Sequence, residues 1–141
     1  MKKEIIMLAT VSFLLHLVWE NLQAPLYGSD YISFAQHFPT CLIATFGDVF
    51  IALIVYYFIM VVKKDTHWIA KQDVSDYIAI TFLGLLIAIG IEQNALLLEK
   101  WGYGATMPLI PYLRVGLLPI LQMTILLPIS FYLTKKLIRS A

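Results

Sequence analysis

His16 and Glu20 stand four residues apart in an otherwise apolar stretch, so on a helix they lie one above the other, with Gln23 continuing the stripe. In that position a carboxylate tunes the imidazole proton or joins it as a metal ligand; an interhelical polar clamp is the plainer alternative. Asp48 follows Gly47 in Ala44-Thr45-Phe46-Gly47-Asp48-Val49, where the missing side chain lets a ligand or another helix come close. Its alternative role is a buried ion pair with Arg114. Glu92 heads the run Glu92-Gln93-Asn94 and is the costliest of the three to leave facing lipid, so it is expected to turn inward, toward Arg114 or His16.

One histidine and three acids in apolar surroundings allow two chemistries. Desolvation and mutual repulsion leave at least one acid protonated near neutral pH, a proton donor suited to alkene protonation, double-bond migration, ring closure or hydration. The same four groups, His16, Glu20, Asp48 and Glu92, could instead hold a divalent metal for hydrolysis of a lipid headgroup. With neither HExxH nor Glu-x-x-His present, metal ranks second and no cofactor is expected. The expected roles are Glu92 and Glu20 as acid and base, His16 as proton partner and Asp48 as electrostatic stabiliser. Gln23, Trp101, Tyr103, Arg114 and Gln122 are expected to contact the substrate, a membrane lipid or isoprenoid.

The elements that position these groups must dissolve in lipid. Of 141 residues 60% are hydrophobic and 13% charged, about half the charged share of a soluble domain. Four stretches meet the requirement of about 20 apolar residues per span: 5–22, 41–62, 77–98 and 109–133. The expected fold is one all-α domain, a bundle of four transmembrane helices. No small-x-small cleavage site precedes Trp19-Glu20-Asn21, so the first span is expected to be retained. With both termini inside, Lys2, Lys3, Lys63, Lys64, Lys71, Lys135, Lys136 and Arg139 fall on the cytoplasmic side, which sets an N-in, C-in topology in the bacterial inner membrane. That bias argues against a dual-topology multidrug exporter. A net charge of +1 gives no footprint for nucleic acid. The single Cys41 excludes an internal disulfide or CxxC pair, and with it vitamin-K-reductase-type and disulfide-oxidase-type chemistry.

Counting 1.5 Å per residue along each span puts His16, Glu20, Asp48, Glu92 and Arg114 in one outer-leaflet layer, with Gln122 deeper, near the midplane. The inner half is apolar apart from Thr81, Thr124, Ser130 and tyrosine hydroxyls, which argues against a channel. The outer connector 24–40, with Pro25, Tyr27, Tyr31, Phe34, Phe38 and Pro39, is expected to lie at the interface and cap the bundle. The inner connector 63–76 reads as a solvated loop anchored by Trp68. The connector 101–108, with Gly102 and Gly104, looks like a lid. Pro119 is expected to free the Val115 carbonyl toward the pocket. Gly84 and Ala88 form a small-xxx-small pair open to close helix packing or a homodimer face.

The strings Ala44-Thr45-Phe46-Gly47-Asp48-Val49-Phe50-Ile51-Ala52-Leu53, Trp101-x-Tyr103-x-x-x-Met107-Pro108 and Gly116-Leu117-Leu118-Pro119-Ile120-Leu121-Gln122 resemble a family of small, largely uncharacterised bacterial membrane proteins with four spans, which implies the fold. The Trp-x-Tyr connector before a helix rich in glycine and proline is similar to membrane lycopene cyclase domains, which implies protonation of a polyene by carboxylates. Gln122 stands near where those domains carry an acidic Pro-x-Glu motif. His16-x-x-x-Glu20, with acids on other helices, resembles the sterol-isomerase-like fold, which implies proton shuffling about a double bond.

Overall fold

The computed structural model describes residues 1–28 and 33–140; Tyr31 of the outer connector lies outside them. Four helices are each long and apolar enough to cross a membrane: α1 (Lys2–Gln23), α2 (Phe34–Lys63), α3 (Val74–Leu97) and α4 (Leu117–Ser140). The chain is an all-α, multi-pass membrane protein. A 3₁₀ turn, Ala24–Tyr27, extends α1, and a second, Trp68–Lys71, sits between α2 and α3.

Helix ends follow capping chemistry rather than hydropathy. α3 starts three residues before the apolar stretch because Asp73 and Asp76 form a reciprocal capping box, at 3.1 and 3.0 Å, that satisfies two otherwise unpaired amides. Lys63 at the end of α2 pairs with Asp76 at 2.7 Å and ties the two ends together. α2 begins at Phe34, so residues 34–40 of the outer connector are its first turns, and Pro39 inside it leaves the Ala35 carbonyl without its helical donor.

The largest departure from the expected spans is α4. It starts at Leu117, eight residues late, because 109–116 closes into a small hairpin. Ile110 N–H donates to Val115 O at 2.9 Å, Arg114 N–H to Ile110 O at 3.0 Å and Leu117 N–H to Pro108 O at 2.8 Å. Two consequences correct the sequence reading. The Val115 carbonyl is consumed by Ile110 and does not face the pocket. Arg114 lies exposed in the hairpin with φ at 53° and is not inside a span. At the other end α4 runs on to Ser140: Lys135 reaches Gln72 O at 2.7 Å and Arg139 reaches Ala70 O at 2.7 Å, keeping their charges at the membrane boundary.

The helices are arranged as α2, α1, α4, α3, with α1 packed on both α2 and α4, and α3 packed on α4. Backbone contact between α2 and α3 is sparse. At the inner end the connector packs between α2 and α4. Trp68 is 1% exposed, its ring 5.8 Å from Tyr56 and 5.5 Å from Phe131, and its indole donates to Tyr56 O at 3.2 Å. Trp68 is therefore core and not an interfacial anchor, because neither α2 nor α4 alone can cover the other's rings there. Thr124 and Ser130 spend their hydroxyls on carbonyls one turn back in α4, so they offer no polar path through the inner half.

The middle of α4, Gln122–Leu126, is π-helical. Gly84 of α3 faces this segment: a Cβ there would stand 2.7 Å from Met123 O. Ala88, one turn on, is also buried. Of the two expectations for this pair, close helix packing is what Gly84 does, against α4 within the chain.

Candidate active site

A cavity of about 300 Å³ lies in the expected outer half and is walled by all four helices, among others by Glu20, Gln23, Asp48, Glu92, Trp101 and Gln122. Its remaining walls are mostly apolar. His16 lies just behind it, fully buried.

Three of the four chemistry-bearing groups converge on Gln122. Its amide nitrogen donates to Glu20 Oε1 at 2.8 Å and to Asp48 Oδ2 at 2.8 Å, and lies 3.1 Å from His16 Nδ1. Its carbonyl oxygen accepts from Gln23 Nε2 at 2.7 Å. Gln23 also donates to Glu20 Oε1 at 3.1 Å and accepts from the Trp19 indole at 3.0 Å. An amide nitrogen has two hydrogens, and both go to carboxyl oxygens. The 3.1 Å contact between His16 Nδ1 and Asp48 Oδ2 then shares one proton, which sits on Nδ1 when Asp48 is a carboxylate. His16 Nε2 is left buried without a partner.

Local sequence explains this convergence. His16, Glu20 and Gln23 share one face of α1, and Tyr27, four further on, continues it into the cavity wall. Asp48 comes from α2 beside Gly47. Gln122 is the first residue of the π-helical turn, whose wider ring re-aims one side chain; such turns recur at functional sites. Spacing on α1 could have singled out Tyr27, which composition had marked only as an interfacial aromatic. Nothing in the sequence singles out Gln122 as the hub, because a π-turn has no local signature beyond the nearby Pro119 and Pro128.

Glu92 is held apart, on α3. It is buried, and its Oε2 accepts from the Trp101 indole at 3.2 Å and from the Tyr103 hydroxyl in a short hydrogen bond. Gln93 and Asn94 are exposed, so of the three polar neighbours only Glu92 turns inward. Tyr103 and Trp101 both pack on Tyr27, with ring centroids 5.7 and 6.4 Å away. Gly104 N–H donates to Leu26 O at 2.8 Å, and a Cβ on Gly104 would stand 3.1 Å from that oxygen. Connector 101–108 therefore closes over the outer end through a backbone contact only glycine permits without displacement. Burial, and after it the hydrogen bond given to Glu92, push the Tyr103 phenol above its ordinary value, so it stays a donor at neutral pH.

No family model matches the chain, and neither a curated protein nor a solved structure does. The site stands on its geometry alone.

Two expectations need restating. Arg114 pairs with neither Asp48 nor Glu92: it is exposed in the hairpin and does not line the cavity. The four groups considered as metal ligands, His16, Glu20, Asp48 and Glu92, do not form one cluster. Among the described residues no group of three or more His, Cys, Asp or Glu side chains is arranged to hold an ion. The point on which His16, Glu20 and Asp48 converge is filled by an N–H donor of Gln122.

Proposed function

We propose that this chain is an intramembrane enzyme of non-redox acid and base chemistry, an isomerase, cyclase or hydratase, acting on an isoprenoid or other lipid. One observation carries the reading: carboxyl groups in two different hydrogen-bonding environments, Glu20 with Asp48 and Glu92 alone, border a single, largely apolar cavity. That pairing is what proton addition at one carbon and removal at another requires.

Double-bond migration is the simplest balanced case. The order of roles expected from the sequence is reversed, because Glu92 accepts two hydrogen bonds that favour its carboxylate: the carboxyl proton of Glu20 adds to one alkene carbon, and the alkene's π electrons form the new C–H bond and leave a carbocation on the neighbouring carbon. Glu92 then takes a proton from the next carbon, and that C–H electron pair becomes the displaced double bond. The substrate's formula is unchanged and one proton has passed from Glu20 to Glu92. The ring faces of Tyr27 and Trp101 and the carboxylate of Asp48 stabilise the cation. His16, hydrogen-bonded to Asp48, fixes that carboxylate's orientation. Trp101 and Tyr103, first expected to touch substrate, serve Glu92 as donors, and Trp101 also walls the cavity. Lysines and arginine at the inner helix ends support N-in, C-in insertion in a bacterial inner membrane, with the cavity in the outer leaflet.

A second reading is a lipid- or partner-binding subunit whose polar network is a clamp. The chain of hydrogen bonds from Trp19 through Gln23 and Gln122 to Glu20 and Asp48, which ties α1, α2 and α4 together, favours it.

The deciding experiment incubates the purified protein in D₂O with polyprenyl lipids and a bacterial lipid extract, followed by mass spectrometry. Protein-dependent carbon-bound deuterium in one lipid class, lost in Glu20→Gln and Glu92→Gln, is expected. No change in any lipid, or wild-type change in both variants, would overturn the proposal.

A further inference from the structure

We infer that the cavity takes only a segment of a membrane lipid's hydrocarbon chain, which is threaded in sideways through a portal between α2 and α3 while the rest of the lipid stays in the bilayer. This deepens the proposed function and rests on the cavity being the substrate site.

Three observations meet here. The first is the helix order: α2 and α3 flank the cavity and make only sparse backbone contact with each other, so that side of the bundle is the most loosely closed. At the inner end the Lys63–Asp76 ion pair ties α2 to α3, and at the outer end Tyr27 and Trp101 pack together beside the site, so the open stretch lies between them, at the cavity's own depth. The second is the rim, where the exposed residues of the cavity wall are Gly47 on α2, flanked by Ala44 and Ile51, and Ile91 on α3. Gly47 is exposed, Ile91 is 40% exposed, and the Asp48 side chain, which lines the cavity beside Gly47, keeps 14% of its surface accessible. A Cβ built on Gly47 meets nothing within 4 Å, so this glycine is not required by packing and keeps the opening clear.

The third observation is size. At about 30 Å³ per water-sized group, a cavity of about 300 Å³ holds about ten such groups, roughly two isoprene units. A whole membrane lipid does not fit. Whatever reaches Glu20 and Glu92 is part of a longer chain, and both walls of the portal belong to membrane-spanning helices, so what lies outside it is bilayer. The occupant is therefore a flexible apolar chain: the cavity walls are mostly apolar, and no cation lines them to hold a lipid phosphate.

The test uses the full chain in phosphatidylcholine vesicles doped with a phosphatidylcholine carrying a photoreactive diazirine on its acyl chain, with labelled residues mapped by mass spectrometry. Surrounding lipid labels outward residues such as Leu14 and Phe82 in any case. The informative positions are Ala88 and Met123, which line the cavity and are only 3% and 4% exposed. Both are expected to be labelled in wild type. In Gly47→Phe, which fills the portal, their labelling should fall at least tenfold while Leu14 and Phe82 stay unchanged. Gly90→Phe, equally free of contacts but outside the cavity wall, should leave all labels unchanged. Absence of label from Ala88 and Met123, or label there that survives Gly47→Phe, would overturn the portal. So would loss of label from Gly47 and Ile91 themselves, the pattern of a second copy covering this face. Because labelling reads chain position and not turnover, a labelled cavity without deuterium exchange leaves the portal standing and removes the chemistry; exchange without cavity label does the reverse.

Discussion

Glu20→Gln separates a catalytic carboxyl from a structural clamp, because the replacement keeps nearly every bond the side chain makes. Gln122 and Gln23 both donate to a single oxygen, Oε1. An amide placed with its carbonyl oxygen at that position still accepts both, and its new N–H₂ stands beside the oxygen of Asp48 as a donor. The acid proton is what disappears. Interhelical hydrogen bonds in membrane bundles contribute about 0.6 kcal/mol each on average and up to about 2. Retaining them predicts a stability change within about 1 kcal/mol, with the balance toward stabilisation as two crowded acids become one. Glu20→Leu instead strands two donors and is expected to cost about 1 to 3 kcal/mol. Loss of a general acid lowers turnover by about 10² to 10⁴. Reversible unfolding in mixed micelles by graded denaturing detergent gives the stability of both variants, and deuterium incorporation gives turnover. If Glu20→Gln costs more than about 2 kcal/mol, the carboxylate is the clamp of the second reading. If its turnover equals wild type, Glu20 is not the acid.

Gly84→Ala should be destabilising by about 1 to 3 kcal/mol, since its Cβ would meet the Met123 carbonyl at 2.7 Å; an unchanged oligomeric state by native mass spectrometry alongside that loss confirms that the stripe packs within the chain. Trp68→Ala should cost about 3 to 5 kcal/mol, read in the same unfolding titration, whereas an interfacial anchor would lose far less. Tyr103→Phe should insert and fold yet slow turnover, by removing one of the Glu92 donors. It also carries a pH signature: the folded phenol titrates above its unfolded value near 10, so the folded state holds a proton that the unfolded chain releases. The stability contribution of Tyr103 is full below about pH 10 and is lost as pH rises toward its folded value. The variant's alkaline unfolding curve should therefore be flatter than wild type; identical slopes would refute the buried donor.

Some of this architecture is one-dimensional and therefore readable in the sequence. Lipid imposes length and hydropathy on each span, and a fixed rise per residue turns position into depth, so four helices and a shared polar layer followed without any contact being known. The i, i+4 geometry of α1 likewise put His16, Glu20 and Gln23 on one face. What needed the tertiary structure was rotation and partner choice. Hydropathy does not say which helix lies beside which, so it could not separate Glu92, held by Trp101 and Tyr103, from the group gathered on Gln122. The apolar stretch at 109–116 reads as a span, yet backbone pairing between Ile110 and Val115 makes it a hairpin and carries Arg114 away from the acids. Trp68 reads as an anchor because tryptophan favours interfaces, and became core because Tyr56 and Phe131 needed a covering ring. Gly84 and Ala88 announce close packing but not against whom; the π-helical turn of α4 took that place. Composition and local geometry fix how deep a side chain sits in a membrane protein, while its neighbours are chosen by long-range packing that no short stretch of the chain encodes.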